Sequence, residues 1–311
     1  MSLKAKGFLV LVILSLGVAV GTMPLAQGTG KFYIIGMGTS PDLVTVRGAE
    51  IIKHADVFLL EEPGDREAWA DLIGDREVFF CPHVSRRFYG LDAEKLADPE
   101  ARKLALSCAK MRQDAVDRIQ AEVRAGKTVA ALEWGDAMMY GTTFYLELLP
   151  EDFPSEIVPG VGAFEASTAA VKWSPTFGRD TNSVILTMGD FPGRLDTNER
   201  LMETQTSMVF YMMNVDCPAL FAQLAAHYPA DTPVAVVAYA GDREKQQVIR
   251  STVGRFLTEV DYEKLPKDMH MLLVGKFLGC GQARVDGLVS GKAREFIETS
   301  HPEAPQGQQP Q

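Results

Sequence analysis

Phe32-Tyr33-Ile34-Ile35-Gly36-Met37-Gly38-Thr39-Ser40-Pro41-Asp42 is the stretch on which the reading of this chain turns. Four apolar residues end abruptly in glycine, the pattern of a short strand buried on both faces. Thr45 to His54 then reads as a helix with Val46, Ala49 and Ile52 on one face. A strand running through a glycine turn into a helix opens an α/β domain. Glycines there permit tight turns and let backbone N–H groups approach a ligand. Taken alone the segment reads equally as a plain strand-to-helix turn, because it lacks the third glycine of a dinucleotide fingerprint.

The alternation continues outward. Ala55 to Leu60, Val78-Phe79-Phe80, Thr128 to Leu132 and Glu156-Ile157-Val158 read as further strands, and Pro99 to Ala125 as a long helix stopped by Gly126. Strands separated by helices predict a parallel sheet covered on both faces, with ligands beyond the carboxyl ends of the strands. The second half is less regular. Ser183 to Met188, Ser207 to Tyr211, Val234 to Tyr239, Gln247-Val248-Ile249 and Met271 to Val274 read as strands, and Cys217 to His227 as a helix. A mixed α/β second domain is expected, with the boundary near Trp173–Asp180, where Pro175 and Gly178 break the pattern.

The chain of 311 residues is long enough for two such domains. The domains are placed at 31–178 and 179–290, with the Pro- and Gln-rich residues 302–311 as a disordered tail. A formal net charge of −10 argues against nucleic-acid binding as the main role. Cys81, Cys108, Cys217 and Cys280 form no CxxC pair, so they read as buried thiols rather than as a zinc or redox motif, and no metal is expected. Lys4 and Lys6 precede an apolar run from Phe8 to Val20, and no charge occurs from Gly7 to Gly30. Residues 1–27 therefore read as a secretory signal peptide. An uncleaved signal-anchor, the only membrane contact expected, and a true start at Met23 are the alternatives. The first two place the protein outside the cytoplasm or at its membrane, and the third in the cytoplasm.

Four more segments carry chemistry: Glu133-Trp134-Gly135-Asp136-Ala137-Met138-Met139-Tyr140-Gly141-Thr142, Val158-Pro159-Gly160-Val161-Gly162-Ala163-Phe164, Val209-Phe210-Tyr211-Met212, and the stretch from Val234 through Ala238 and Gly241 to Thr252. In this order and spacing, over essentially all of 31–280, they resemble the tetrapyrrole methylase family, which uses S-adenosylmethionine (SAM) and includes precorrin and uroporphyrinogen-III methyltransferases. The resemblance implies two α/β domains, a parallel-sheet N-terminal one and a mixed C-terminal one, with SAM in the cleft between them, usually in a homodimer. It implies that Gly36, Gly38 and Thr39 stand near the ligands. It sets Trp134-Gly135-Asp136 against the methionine part of SAM, with Met139 touching SAM through its backbone. Gly162 and Ala163 stand where a Ser/Thr-Ala pair is usual. Tyr211 and Met212 fall beside the adenosine, and Ala238, Gly241 and Thr252 on the adenine side. A carboxylate such as Asp136 suits the cation of SAM.

The chain also departs from the family. Its first loop is one residue short, Trp134 replaces a small residue, and Asn214 stands where a glycine is usual. Glu61 aligns with an Asp that the family's uroporphyrinogen-III methyltransferases use as proton acceptor, which makes it the candidate general base. With Glu62 it reads equally as a solvated acidic loop. Cys81-Pro82-His83 replaces a Lys of the same enzymes, which weakens that particular assignment. Arg86, Arg87, Phe88 and Tyr89 combine carboxylate-binding and stacking groups, a candidate contact for a tetrapyrrole acceptor, or else an ordinary surface loop. The expected activity is methyl transfer from SAM to such an acceptor. A non-catalytic binding descendant, or a peptide-modifying branch of the same superfamily, is the alternative.

Overall fold

The computed structural model describes residues 30–141, 144–176, 183–191, 193–211 and 215–279. The leader read over 1–27, the tail at 302–311, Met212, Asn214 and Cys280 lie outside the described residues. The strands are β1 (Lys31–Gly36), β2 (Val57–Leu60), β3 (Glu77–Phe80), β4 (Thr128–Glu133), β5 (Ser155–Val158), β6 (Val184–Met188), β7 (Ser207–Tyr211), β8 (Pro233–Ala238), β9 (Gln247–Thr252) and β10 (His270–Val274). The helices are α1 (Val46–His54), α2 (Pro63–Ala68), α3 (Ala70–Ile73), α4 (Pro99–Arg124), α5 (Phe144–Leu148), α6 (Ala163–Val171), α7 (Asn198–Met202), α8 (Cys217–His227) and α9 (Phe256–Glu259).

β1 to β5 form a wholly parallel sheet in the order β3-β2-β4-β1-β5. The middles of its inner strands are apolar because both faces are covered, as a parallel sheet requires. One face carries the cluster of Phe32, Ile34, Val116 and Ile119. The other carries Ile35, Ile52, Phe58, Trp69 and Ile73. The direction of winding across the sheet reverses between β1 and β4: from β1 the chain crosses over β4 to β2, and from β4 it crosses over β1 to β5. A crevice opens beyond the strand ends at such a switch point.

The second sheet runs β6-β7-β10-β8-β9; β6 and β7 are parallel and the remaining pairs antiparallel. This is the mixed architecture expected. Helix α6 follows the first sheet in sequence, yet its Ala166 and Val171 pack with Val209, Ala235 and Leu273 of the second. That packing holds the halves together. Arg250 adds to it by donating to the Val171 carbonyl at 2.9 Å.

Several helices have start signals legible in the sequence, among them α8, capped by Asp216. The Thr45 side chain accepts from the Gly48 N–H at the start of α1, and Asp98 caps α4 ahead of Pro99. The long α4 buries Ala105, Cys108, Arg112, Ala115, Val116, Ile119 and Val123, one face at helical spacing. Cys81, Cys108 and Cys217 are buried thiols.

Candidate functional site

Three turns beyond the first sheet meet backbone to backbone. Gly38 and Gly135 exchange N–H···O bonds of 3.0 and 2.8 Å, each at positive φ (+78° and +69°), which only glycine adopts without strain. A Cβ on Gly160 would lie 2.3 Å from the Gly135 oxygen and 2.5 Å from the Gly36 carbonyl carbon. Gly36, Gly38 and Gly160 therefore form a packed platform behind the site.

In front of that platform lies a cavity of about 680 Å³ between the two sheets. Such a volume suits a cofactor-sized ligand. The first half lines it with Thr39, Trp134, Gly135, Asp136, Met139 and Tyr140, and the second with Tyr211, Val237, Tyr239, Ala240 and His270; Ala163, at the start of α6, also faces it. Several residues singled out from the sequence stand elsewhere. Gly162 caps α6, Ala238 ends β8 and is buried, and Thr252 ends β9. Gly241, at φ +86°, sits where a Cβ would press on Thr39 and Leu43, so it is a joint between the halves.

Asp136 is held by backbone. Its Oδ1 accepts from the N–H groups of Met138 (2.8 Å) and Met139 (3.2 Å), and its Oδ2 from that of Gly160 (3.3 Å). The carboxylate thus shapes the loop after β4 and places its negative charge on the cavity wall. Trp134 turns its indole onto Trp69, ring centroids 4.7 Å apart, and donates Nε1–H to Asp65 at 2.8 Å. The bulky residue is accommodated by a partner the sequence did not advertise. Tyr140, at φ +57°, meets Tyr211 edge-on at 4.8 Å. Burial pushes both phenols above their ordinary range, so each is a neutral hydroxyl.

The charged wall gathers at the ends of β2, β3 and β4. Arg86 Nη2 donates to Glu61 Oε1 and, at 3.0 Å, to Glu133 Oε2; Glu133 is 5% exposed. His83 Nδ1 stands 3.4 Å from Glu61 Oε2. Burial raises the Glu61 carboxyl, but His83 and Arg86 outweigh it and hold the group below its ordinary value. Glu61 is therefore ionised and engaged, not a solvated loop residue; Glu62 caps α2.

Helix α4 aims this wall. Cys108 Sγ donates to the Val84 carbonyl at 3.2 Å, and Arg112 donates to the carbonyls of Ser85 and Arg87. With its carbonyls bound to α4, the turn sends Arg86 and His83 into the cavity. The four-residue contact read over 86–89 is thereby split. Arg87 is exposed and lines no part of the cavity. Phe88 sits at φ +59° and is likewise absent from the lining. Tyr89 packs on Phe144 and donates to Glu147 at 2.5 Å, its phenol pushed up to about 12, first by burial and then by that carboxylate. Adjacent residues on a tight turn point apart, which is why a run of suitable types did not make a shared surface.

The sequence pattern of the Tetrapyrrole (Corrin/Porphyrin) Methylases matches residues 31–257. The chain belongs to this family. Among its relatives is the siroheme synthase of Hydrogenovibrio crunogenus, 28% identical over 264 residues, which cover 80% of this chain and 49% of that one. The tetrapyrrole methylase chain thus spans about half the length of the siroheme synthases it matches. The cobalt-precorrin-4 C(11)-methyltransferase of Priestia megaterium is 28% identical over 230 residues, 72% of this chain and 79% of that one. Among solved structures, a cobalt precorrin-4 methyltransferase superposes with a TM-score of 0.63 at 25% identity, covering 83% of this chain and 99% of that one. Uroporphyrin-III C-methyltransferase from Thermus thermophilus, in complex with S-adenosylhomocysteine, shares the fold at a TM-score of 0.58 and 17% identity, over 80% and 99% of the two chains.

Members of the family use SAM, and the cavity of this tetrapyrrole methylase fits it. Thr39 Oγ1 is buried without a hydrogen-bond partner at the cavity wall, a polar atom awaiting a ligand. Glycine backbone supplies close approach, and the Asp136 carboxylate suits a sulfonium or ammonium cation. Sequence reading gave no role to Glu133, Tyr140, Tyr239 or His270. For Glu133 the signal was present, a carboxylate ending the central strand of a parallel sheet. For Tyr239 and His270 there was none, since their place at the cavity depends on how the second sheet docks. Among the described residues, no group of three or more His, Cys, Asp or Glu side chains is arranged to hold a metal ion, and no helix is long and apolar enough to cross a membrane.

Proposed function

We propose that this protein is a SAM-dependent C-methyltransferase that takes a tetrapyrrole of the precorrin or uroporphyrinogen class as acceptor. The carrying observation is the cavity at the β1/β4 switch point, closed by Tyr211 and His270 of the second sheet, in a chain of tetrapyrrole methylase sequence. SAM when bound supplies an electrophilic methyl group. Thr39, Asp136 and the Gly135 backbone are the groups that would hold it. Arg86 and the aromatic wall of Tyr140 and Tyr211 would orient a flat acceptor bearing carboxylates. Holding donor and acceptor in line lowers the barrier by as much as roughly 7–11 kcal/mol in favourable cases. The names of the relatives, siroheme synthase and cobalt-precorrin-4 C(11)-methyltransferase, support an acceptor of this class. The family's usual homodimer belongs to the same proposal, with light scattering of the purified protein as its check.

Calorimetry with SAM and S-adenosylhomocysteine tests the cavity. Incubation with methyl-labelled SAM and either uroporphyrinogen III or cobalt-precorrin-4 tests the transfer. Saturable binding with label entering one acceptor is the expected result; absence of binding defeats the proposal. The pairing of Glu61 with Arg86 favours one alternative, a binding protein on the same fold, because the carboxylate aligned with a proton acceptor is already neutralised. SAM binding without transfer to either acceptor would establish it.

A further inference from the structure

Methylation at carbon leaves a proton to be removed. The acceptor carbon gains the methyl group as the carbon–sulfur bond breaks, with its electron pair remaining on sulfur. The acceptor, then one positive charge higher, returns to its former charge by losing a C–H proton to a base. Resting on the methyltransferase reading above, we propose that this base is His83, acting through Nε2, and that Glu61 is its positioning residue rather than the base itself.

The geometry separates the two roles. A carboxylate only accepts, so the 3.4 Å contact from Glu61 Oε2 fixes the proton of the neutral imidazole on Nδ1 and leaves Nε2 as a lone-pair acceptor. His83 is largely exposed and lines the cavity. Catalytic hydrogen bonds are often this long without substrate. Glu61 accepts from Arg86 on its other oxygen, and both neighbours hold it ionised, which makes it a weak base but a good partner for an imidazolium.

Asp268 is exposed on the second-half side of the cavity, away from the charged wall at the ends of β2 to β4, and the basic groups described next are committed. Glu133 is buried against Arg86. Asp136 accepts backbone N–H bonds on both oxygens, and Asp242 accepts those of Glu244 and Lys245. His270 contacts a carbonyl, that of Pro266, instead of a carboxylate, and burial disfavours its charged form. The charged and titratable groups around His83 are Glu61 and Glu62 from the β2 end, Arg86 on its own turn and Glu133 from β4. Behind the turn, α4 contributes Arg112 and the Cys108 thiol, both bonded to carbonyls of the turn. Two cations and three carboxylates therefore surround the imidazole, and of these Glu61 is the one that meets its ring nitrogen.

Two measurements test the assignment. Nitrogen-15 NMR of the free protein reads the His83 tautomer without any turnover. The expected result is an Nδ1–H tautomer in the wild type that loses its dominance in Glu61→Gln. An Nε2–H tautomer, or a tautomer ratio unchanged in Glu61→Gln, overturns the pairing. Kinetics with uroporphyrinogen III and with cobalt-precorrin-4 read the role. His83→Gln should lower kcat roughly 10²–10⁴-fold and abolish the acidic limb of the pH profile, with SAM affinity by calorimetry unchanged within twofold. Glu61→Gln should lower kcat while that limb remains. An active wild type whose limb persists in His83→Gln overturns the assignment alone. A wild type that binds SAM but methylates neither acceptor removes the reading beneath it, and the assignment falls with it.

Discussion

Tyr140 and Tyr211 meet edge to face with ring centroids 4.8 Å apart, one from the loop after β4 and the other from the end of β7. The contact joins the two halves of the molecule inside the cavity itself. Asp42 and Arg243, 201 positions apart, form a second tie at 2.5 Å between the turns after β1 and β8. An aromatic and an ionic contact thus add to the α6 packing across the cavity, and they should respond differently to substitution. The aromatic pair should show a coupling of about 0.5–1.5 kcal/mol in a double-mutant cycle of Tyr140→Ala and Tyr211→Ala, read from urea denaturation. A coupling of zero would mean that the rings merely coexist.

Arg86 and Arg87 should part company. Arg87→Ala alters an exposed side chain and should change stability by no more than about 0.5 kcal/mol. Arg86→Ala removes the cation between two carboxylates, one of them nearly fully buried, and should cost about 3–5 kcal/mol. Fluorescence quenching with uroporphyrin should show weakened binding in Arg86→Ala only. Equal behaviour of the two variants would return the pair to a common surface.

Asp136 separates charge from shape. Asp136→Ala should weaken SAM binding by tenfold or more in calorimetry, because it releases three backbone N–H groups and removes a negative charge. Asp136→Asn keeps one accepting oxygen. It should recover part of the affinity if loop shape matters, and none if attraction to the sulfonium is the whole effect.

Acid should unfold the protein in two stages. His270 is held below its ordinary value of 6.5 by burial, so the unfolded chain takes up that proton first and stability falls as pH drops through and below 6.5. Glu61 is held below its ordinary value of 4.5, so its contribution is complete above 4.5 and is lost as pH falls towards its lower folded value. Urea midpoints measured from pH 7.5 to 3.5 should show both declines. Glu61→Gln should flatten the lower one and leave the upper one in place.

Gly160→Ala would force a Cβ against the backbone of Gly36 and Gly135, where no side chain can yield. A loss of about 3 kcal/mol or more is expected in urea denaturation. Gly64→Ala, which meets nothing within 4 Å, is the control.

Much of this site could be read in one dimension. The run Phe32–Gly36, the cap at Thr45 and the glycines at 36, 38, 135 and 160 are local patterns whose physics acts within a few residues: alternation of apolar and polar groups, backbone conformations open to glycine, and chain reversal. They placed the strand ends, and the family resemblance placed Thr39, Gly135, Asp136 and Tyr211 there, where they line the cavity. The resemblance to tetrapyrrole methylases added the order in which those ends occur.

What tertiary structure alone decided was direction and partnership. Arg86 and Arg87 are adjacent in sequence, yet only one faces the cavity, because α4 binds the carbonyls of their turn. Glu61, His83, Arg86 and Glu133 become one charged wall because β2, β3 and β4 end side by side, an adjacency set by strand order and invisible in spacing. His270 reaches the cavity because β10 lies in the middle of a second sheet docked through α6. Local propensity acts along the chain, whereas pairing of charges acts through space. The amino-acid sequence of this protein therefore determined its elements and its glycine turns, while the meeting of its charged groups was left to the packing of the two sheets.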